Sequence, residues 1–389
     1  MKSIAVIFGG RSTEHDVSIV TAISSVIKPL ELTKEYDVQP VYITKDGTWY
    51  WDQKLKDISL YQSGAIEDFI AKAPKVHLLF DDGLTLVKSS QFAGRKQYKK
   101  IDVVFPAMHG THGEDGELMG VLEMAGVPYV GCGVTASAIA MDKVLAKQVT
   151  QAAGLPSTPW TWFYARDLAQ NHSAVLKEIE KLKYPLFVKP AHLGSSIGIT
   201  RVTQKSELMN ALEVAGHFDD KVIVEQGVAN LTEVTLPIMG NEEPVPAQLE
   251  QPLLSSEEFF DFDTKYMGQG KKGGGKKMAG KQGAQGYSKI PADLPKNVYD
   301  QAVQLGIAAY KALGCEGIAR IDMLIDSKTN KVMFNEANPL PGSLYAHNWR
   351  ASGYSGVELV TKLVGYAVAR HAAASKRETA FATNFLKQF

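Results

Sequence analysis

The residues best suited to chemistry lie late in the chain, in "GIARIDMLID" (317–326) and "KVMFNEANPLPG" (331–342). Alternate side chains of a strand share a face, so Arg320 and Asp322 point one way, and Glu336 and Asn338 likewise share a face. If the two strands pair, one surface offers two carboxylates, an amide oxygen and a guanidinium. Hard oxygen donors suit Mg²⁺, which takes few protein carboxylates and completes its shell with phosphate oxygens and water. The arginine could neutralise a transferring phosphoryl group. By themselves the four residues read equally well as a solvated sheet face with ordinary ion pairs. The "NPLPG" turn weakens that plainer reading, because a rigid turn holds a backbone N–H beside the same edge.

A second group sits mid-chain. "PLFVKP" delivers Lys189 from a buried strand, and "HLGSSIG" (192–198) follows as a loop whose N–H groups and hydroxyls could wrap phosphate oxygens. It lacks P-loop spacing, and alone it would pass for a hairpin. Lys143 adds a cation from the preceding helix, although a solitary helix lysine is usually solvated. "VIVEQGV" ends a hydrophobic strand on Glu225, where backbone groups could read an adenine edge, with Glu233 reaching ribose hydroxyls. Last comes a glycine- and lysine-rich stretch, residues 265–295, open to reading as a linker, a nucleic-acid arm or part of a catalytic site.

The elements that must carry these groups follow from periodicity. "IAVIFGG" reads as a buried strand ending in a tight turn, "VSIVTAISSVIKPL" as a helix and "YDVQPVYIT" as a second strand. An irregular region then runs to about residue 100, before the strand "IDVVFPAM" and the helix "GELMGVLEMAG". Strands alternating with helices point to a doubly wound parallel sheet. "TASAIAMDKVLAKQVTQAAGLP" reads as one helix stopped by Gly154 and Pro156, followed by a smaller α+β unit. The rest brings the helix "KNVYDQAVQLGIAAYKALG", the two acid-bearing strands and a final helix from "GVELVTKLV".

Composition limits the function classes. The chain has 389 residues, with 42 Lys+Arg against 42 Asp+Glu. Zero net charge argues against a whole-protein basic face for nucleic acid or anionic membrane. The two cysteines, Cys132 and Cys315, lack metal-type spacing and read as buried thiols in a reducing compartment. "MKSIAVIFGG" has too short an apolar run for a signal peptide, so a soluble cytoplasmic protein is the expectation.

In combination these motifs resemble the D-alanine–D-alanine ligases of the ATP-grasp superfamily. The resemblance runs from "IFGGRSTEHDVS" through "MHGTHGEDGELMGVLEMAGVPYVGCGVTASAIAMDK", "FVKPAHLGSSIG", "FFDFDTKY" and "ARIDMLID" to "NEANPLPGS". It implies an α/β and α+β fold of three domains, ATP lying between the second and third. These would be an N-terminal doubly wound, Rossmann-like domain (1–131), a central ATP-grasp subdomain (132–226) and a C-terminal one (227–389) with a lid loop at 265–291. It implies ATP contacts from Lys143, Lys189, Ser196, Glu225, Gln226, Val228, Glu233, Phe259, Lys265, Asn335 and Glu336. Asp322, Glu336 and Asn338 would hold two Mg²⁺ (or Mn²⁺) ions, with K⁺ as a further activator.

For the first substrate, the resemblance makes Glu14 the ammonium anchor and sets His109 beside the carboxylate. Glu14, Ser195 and Tyr266 would form a hydrogen-bonded triad, and Arg320 with the Gly342 N–H would stabilise developing charge. The implied activity is ATP-dependent joining of two D-alanines for peptidoglycan precursors, by a cytoplasmic homodimer without nucleic-acid or membrane partners. The plainer readings are that His109 caps the next helix, that Glu14 is a surface acid and that Tyr266 is an exposed lid aromatic.

The pattern breaks after Gly342. The family continues to a serine that binds the second substrate's carboxylate, whereas here "SLYAHNWRASG" places His347 nearest that position. Arg350 or Asn348 could supply the donor instead, or these residues pack the turn before the last helix. A ligase with another acceptor therefore stays open beside the D-alanine reading, as does a non-catalytic nucleotide- or nucleic-acid-binding protein. Residues 268–286 read as an insertion in the lid whose glycine content makes ordering costly.

Overall fold

The computed structural model describes residues 1–89, 96–253, 288–378, 383 and 385–388. Phe259, Lys265, Tyr266, the insertion 268–286 and all of 265–291 except 288–291 lie outside the described residues.

Strand β1 (Lys2–Gly9) is apolar on both faces because both are covered. It pairs in parallel with β2 (Tyr36–Ile43), which turns back into the antiparallel β3 (Trp49–Trp51). Ile4, Val6 and Phe8 pack against Ile23, Val26 and Ile27 of the helical run after Glu14. They share that core with Leu359, Val360 and Leu363 of the C-terminal helix Gly356–Ala374. Ala5 and Ile7 face the helix Glu117–Met124 through Leu118, Met119 and Leu122.

Two expectations are corrected. The region to about residue 100 is not irregular, for it contains the antiparallel strands β4 (Val76–Phe80), β5 (Leu84–Ser89) and β6 (Lys96–Ile101). β6 reads "KQYKKI" with only its last residue buried, so no alternation announces it; pairing with β5 supplies the strand. Beyond it β7 (Val103–Pro106) joins the parallel sheet beside β1. The long helix expected over residues 135–153 is two helices, Val134–Met141 and Lys143–Ala152, separated at Asp142 (φ −104°, ψ 103°). Asp142 breaks the first because its carboxylate caps the second, accepting from the N–H groups of Val144 and Leu145.

The middle unit is a four-stranded sheet, β8 (Trp160–Tyr164), β9 (Leu186–Pro190), β10 (Thr200–Val202) and β11 (Lys221–Gln226), in the order β10-β9-β11-β8. The helix Lys205–Phe218 closes one face through Leu208, Ala211 and Leu212. The last sheet joins β12 (Leu231–Gly240), β13 (Val245–Pro246), β16 (Gly317–Asp326) and β17 (Lys331–Asn338), while β14 (Gln251–Pro252) pairs with β15 (Ser288–Lys289). The helix Lys296–Ala312 and the helices flanking Asp142 pack on this sheet. Cys132 and Cys315 are both buried there as free thiols, and Cys132 Sγ donates to the Ile318 carbonyl at 3.6 Å. Among the described residues no helix is long and apolar enough to cross a membrane.

Candidate active site

β16 and β17 do pair, and their register sets Arg320 opposite Asn338 and Asp322 opposite Glu336. The neighbours that point the other way, Ile321, Met323 and Ala337, are buried in the sheet's core. A bulge follows Asp322: Met323 pairs with Phe334, which leaves Asn335 as the extra residue. Asn335 and Glu336 are consequently both half-exposed, although they are adjacent in the strand. Arg320 grips Asp322 as a fork, Nε to Oδ1 at 2.7 Å and Nη2 to Oδ2 at 2.5 Å. The Asn338 Oδ1 accepts the Leu340 N–H at 3.1 Å and retains a second lone pair. These oxygen donors, facing lysines that would share bound phosphates, are a set a divalent cation can use.

The lysines come from two directions. Lys189 on β9 forms an ion pair with Glu225 on β11, and Glu336 and Glu233 are near enough to act on its charge. Burial alone would push the Lys189 ammonium down, but these carboxylates outweigh it and raise the value. Lys143 donates Nζ to the Leu193 carbonyl at 2.6 Å; burial lowers its value, despite Glu336 and Glu225. Lys147, one turn on, escaped the sequence reading. Its ammonium is 1% exposed and lies 2.6 Å from Glu225, at ion-pair distance though poorly directed for a hydrogen bond. Burial would raise the Glu225 carboxyl, yet Lys147 and Lys189 bring it down to about 2. The only early hint was the spacing of Lys143 and Lys147, which puts both on one helix face.

Ser195 and Ser196 in the glycine loop both have positive φ, 52° and 61°. A left-handed backbone at two serines costs about 1–2 kcal/mol each, and the loop turns its N–H groups accordingly. Ser195 Oγ donates to Glu14 Oε1, so two members of the expected triad meet; Tyr266 lies outside the described residues. Glu14 is buried rather than a surface acid. Gln226 uses its side-chain oxygen to accept the Lys183 N–H at 3.0 Å, and Val228 follows half-buried.

His109 is buried with both ring nitrogens engaged, Nδ1 at 3.1 Å from Glu114 and Nε2 at 2.8 Å from the Thr21 hydroxyl. Burial pushes the imidazole down, but Glu114 outweighs it and raises the value. It caps no helix: Gly116 stands at the cap of the next one. Thr21, also missed, accepts the Ser343 N–H at 2.9 Å and so clasps the loop after Gly342. Ser343, Leu344 and Tyr345 there share φ of 52–53°. Tyr345 lies over the Arg320 guanidinium, 5.1 Å from ring centre to carbon, with the His347 ring 5.0 Å away. His347 Nε2 is 2.9 Å from buried Glu250. Asn348 is buried against Gln248 and Glu250, and Arg350 is exposed.

A glycine loop and a carboxylate sheet facing each other across two α+β units, with an acid supplied by a preceding parallel-sheet domain, define an ATP-grasp ligase. The N-terminal D-ala D-ala ligase model matches residues 3–132 and the C-terminal one residues 149–365. The D-alanine--D-alanine ligase of Acetivibrio thermocellus is 38% identical over 385 residues, 95% of this chain and 96% of that one. Among solved structures, the VanG D-Ala:D-Ser ligase from Enterococcus faecalis aligns at TM-score 0.77 and 33% identity, over 94% of this chain and 99% of that one. The D-alanine-D-alanine ligase from Coxiella burnetii gives 0.76 at 28% identity, over 97% of this chain and 98% of its own. The chain belongs to the D-alanine–D-alanine ligase family.

Proposed function

We propose that this enzyme joins two D-alanines in an ATP-dependent, ADP-forming reaction that supplies peptidoglycan precursors in the cytoplasm. The observation that carries the reading is the β16–β17 register, which puts Asp322 beside Glu336 and Arg320 beside Asn338 across from Lys143 and Lys189. A carboxylate is a poor electrophile because its charge repels nucleophiles and oxide does not leave. Phosphoryl transfer converts it to an acyl phosphate, whose leaving group is phosphate; the second amine then attacks and a peptide bond forms.

In this reading ATP lies between the middle and last sheets, with the division of the chain at 1–131, 132–226 and 227–389. Lys143, Lys189, Ser196 and the loop N–H groups bind the phosphates, while Glu225, Gln226, Val228 and Glu233 line the nucleoside end. Asp322, Glu336 and Asn338 hold divalent metal, as two Mg²⁺ or Mn²⁺ ions, which neutralises the phosphate oxygens when bound. Glu14, steadied by Ser195, takes the first ammonium group. His109 acts through Thr21, holding the Gly342 turn so that its N–H and Arg320 meet the charge that develops on the acyl oxygen. The resemblance also assigns Lys265, Tyr266 and Phe259 to ATP and the triad; they lie outside the described residues. A homodimer activated by K⁺ is carried forward from the resemblance.

The acceptor side admits a second reading. His347, backed by Glu250, stands where the family has a hydroxyl, so an acceptor other than D-alanine is open. The test is a screen of D- and L-amino acid pairs with ATP and Mg²⁺, the dipeptide identified by mass and ADP counted. D-Alanyl-D-alanine as the main product, one ADP each, supports the proposal; a mixed dipeptide made in preference supports the second reading.

A further inference from the structure

We propose that His192 is a positioning residue of the nucleotide-binding loop: gripped between Asp142 and Asp219, its imidazolium ties the root of Gly194–Ser195–Ser196 to the helix that carries Lys143. This rests on the nucleotide site proposed above and adds to it the group that holds two phosphate-facing parts at one spacing.

His192 Nδ1 lies 2.9 Å from Asp219 Oδ2, and Nε2 lies 3.3 Å from Asp142 Oδ2. The His192 backbone N–H donates to Asp219 Oδ2 at 2.8 Å as well. With a carboxylate facing each ring nitrogen, only the doubly protonated ring can donate to both. Asp142 is itself fixed as the cap of the helix Lys143–Ala152. Residues on either side strengthen the tie: the Lys143 N–H donates to the Ala191 carbonyl at 3.1 Å, and Lys143 Nζ to the Leu193 carbonyl at 2.6 Å. Ala191, His192 and Leu193 are thus each held before the loop turns left-handed at Ser195 and Ser196.

Among the described residues, few charged groups surround the ring. Asp142 faces it from the helix break, Asp219 from the end of the helix Lys205–Phe218, and Asp220 completes the cluster. Lys221, at the start of β11, spends its charge on Asp142 at 2.5 Å. The carboxylates of Asp142 and Asp219, one facing each ring nitrogen, outweigh partial burial and push the imidazole up to about 9. A folded-state value above the ordinary one means a grip complete below about pH 6.5 and lost as pH rises through about 9. The ring is half exposed, so solvent screening keeps the expected effect small.

The test is the dissociation constant of the Mg²⁺ complex of the non-hydrolysable analogue AMP-PNP, measured by calorimetry from mildly acidic to alkaline pH. Wild type, His192→Arg, His192→Asn and Asp219→Asn are compared, with the His192 ring followed by NMR. Binding rather than turnover is read, because the acceptor amine also titrates in alkali. Relative to His192→Arg, which keeps its cation throughout, wild type should weaken about three- to fivefold on crossing the ring's transition. His192→Asn should be weakened by the same factor already at neutral pH and show no such transition, and Asp219→Asn should move the transition to lower pH. Parallel pH curves for wild type and His192→Arg, or undiminished neutral-pH affinity in His192→Asn, would overturn the proposal. If wild type bound no Mg²⁺–AMP-PNP at any pH, the nucleotide site itself would be refuted, a distinct outcome.

Discussion

At Lys147 an ammonium group 1% exposed leans on Glu225, which also holds Lys189. Removing one partner of a buried pair leaves the other charge uncompensated, so Lys147→Met should lower stability by about 3–5 kcal/mol in denaturant unfolding. An unchanged midpoint would show that Lys189 alone satisfies Glu225. The pH response carries a definite sign. Glu225 sits at about 2 in the folded chain, below its ordinary 4.5. It therefore contributes stability that is full above pH 4.5 and lost as pH falls towards 2; Glu225→Gln should flatten that part of a melting-temperature profile. At Arg320, lysine keeps the charge but not the fork on Asp322, and Arg320→Lys should cut kcat about a hundredfold with little change in KM for ATP. Arg320, Asp322, Glu336 and Asn338 were legible in the sequence because strand alternation puts each pair on one face. Lys147 was not, because its burial depends on Glu225, which is distant in sequence.

Loops and breaks aim the site's elements. Gly110 has φ +69°, and a Cβ there would lie 2.4 Å from Ser12 Oγ and 2.9 Å from Glu14 Oε2. Gly110→Ala should therefore displace Glu14 and raise KM for D-alanine about tenfold or more, against a smaller change for ATP; one positioning error of about an ångström costs that much or more. Equal KM values would separate Gly110 from the ammonium anchor. The bulge at Asn335 and the break at Asp142 could not be assigned from periodicity alone. In "FNEAN" the polar pair Asn335–Glu336 interrupts the alternation, but only the partner strand shows that the interruption is a bulge. The helical pattern runs through Asp142, although its capping oxygen favours starting a new helix there. The buried strands β1 and β9 were readable from their apolar runs, whereas β4–β6 depend on mutual pairing.

Over the whole molecule, chain order and spatial order diverge. The C-terminal helix returns to cover the first sheet, and Trp349, fully buried, lies in the same core as Phe8. Thr21 and His109 reach the turn at Gly342 from the N-terminal side, while Glu14 reaches Ser195 in the middle unit. Sequence motifs named most of these residues by resemblance, but which residues clasp which is a property of the packing alone. The account depends on late acids and mid-chain lysines converging on one metal-bound triphosphate. A crystal structure with Mg²⁺ and AMP-PNP tests that most directly. The account predicts metal on Asp322, Glu336 and Asn338, with phosphates on Lys143, Lys189 and the Ser196 loop; nucleotide bound elsewhere, or metal that leaves Asp322 and Glu336 untouched, would contradict it.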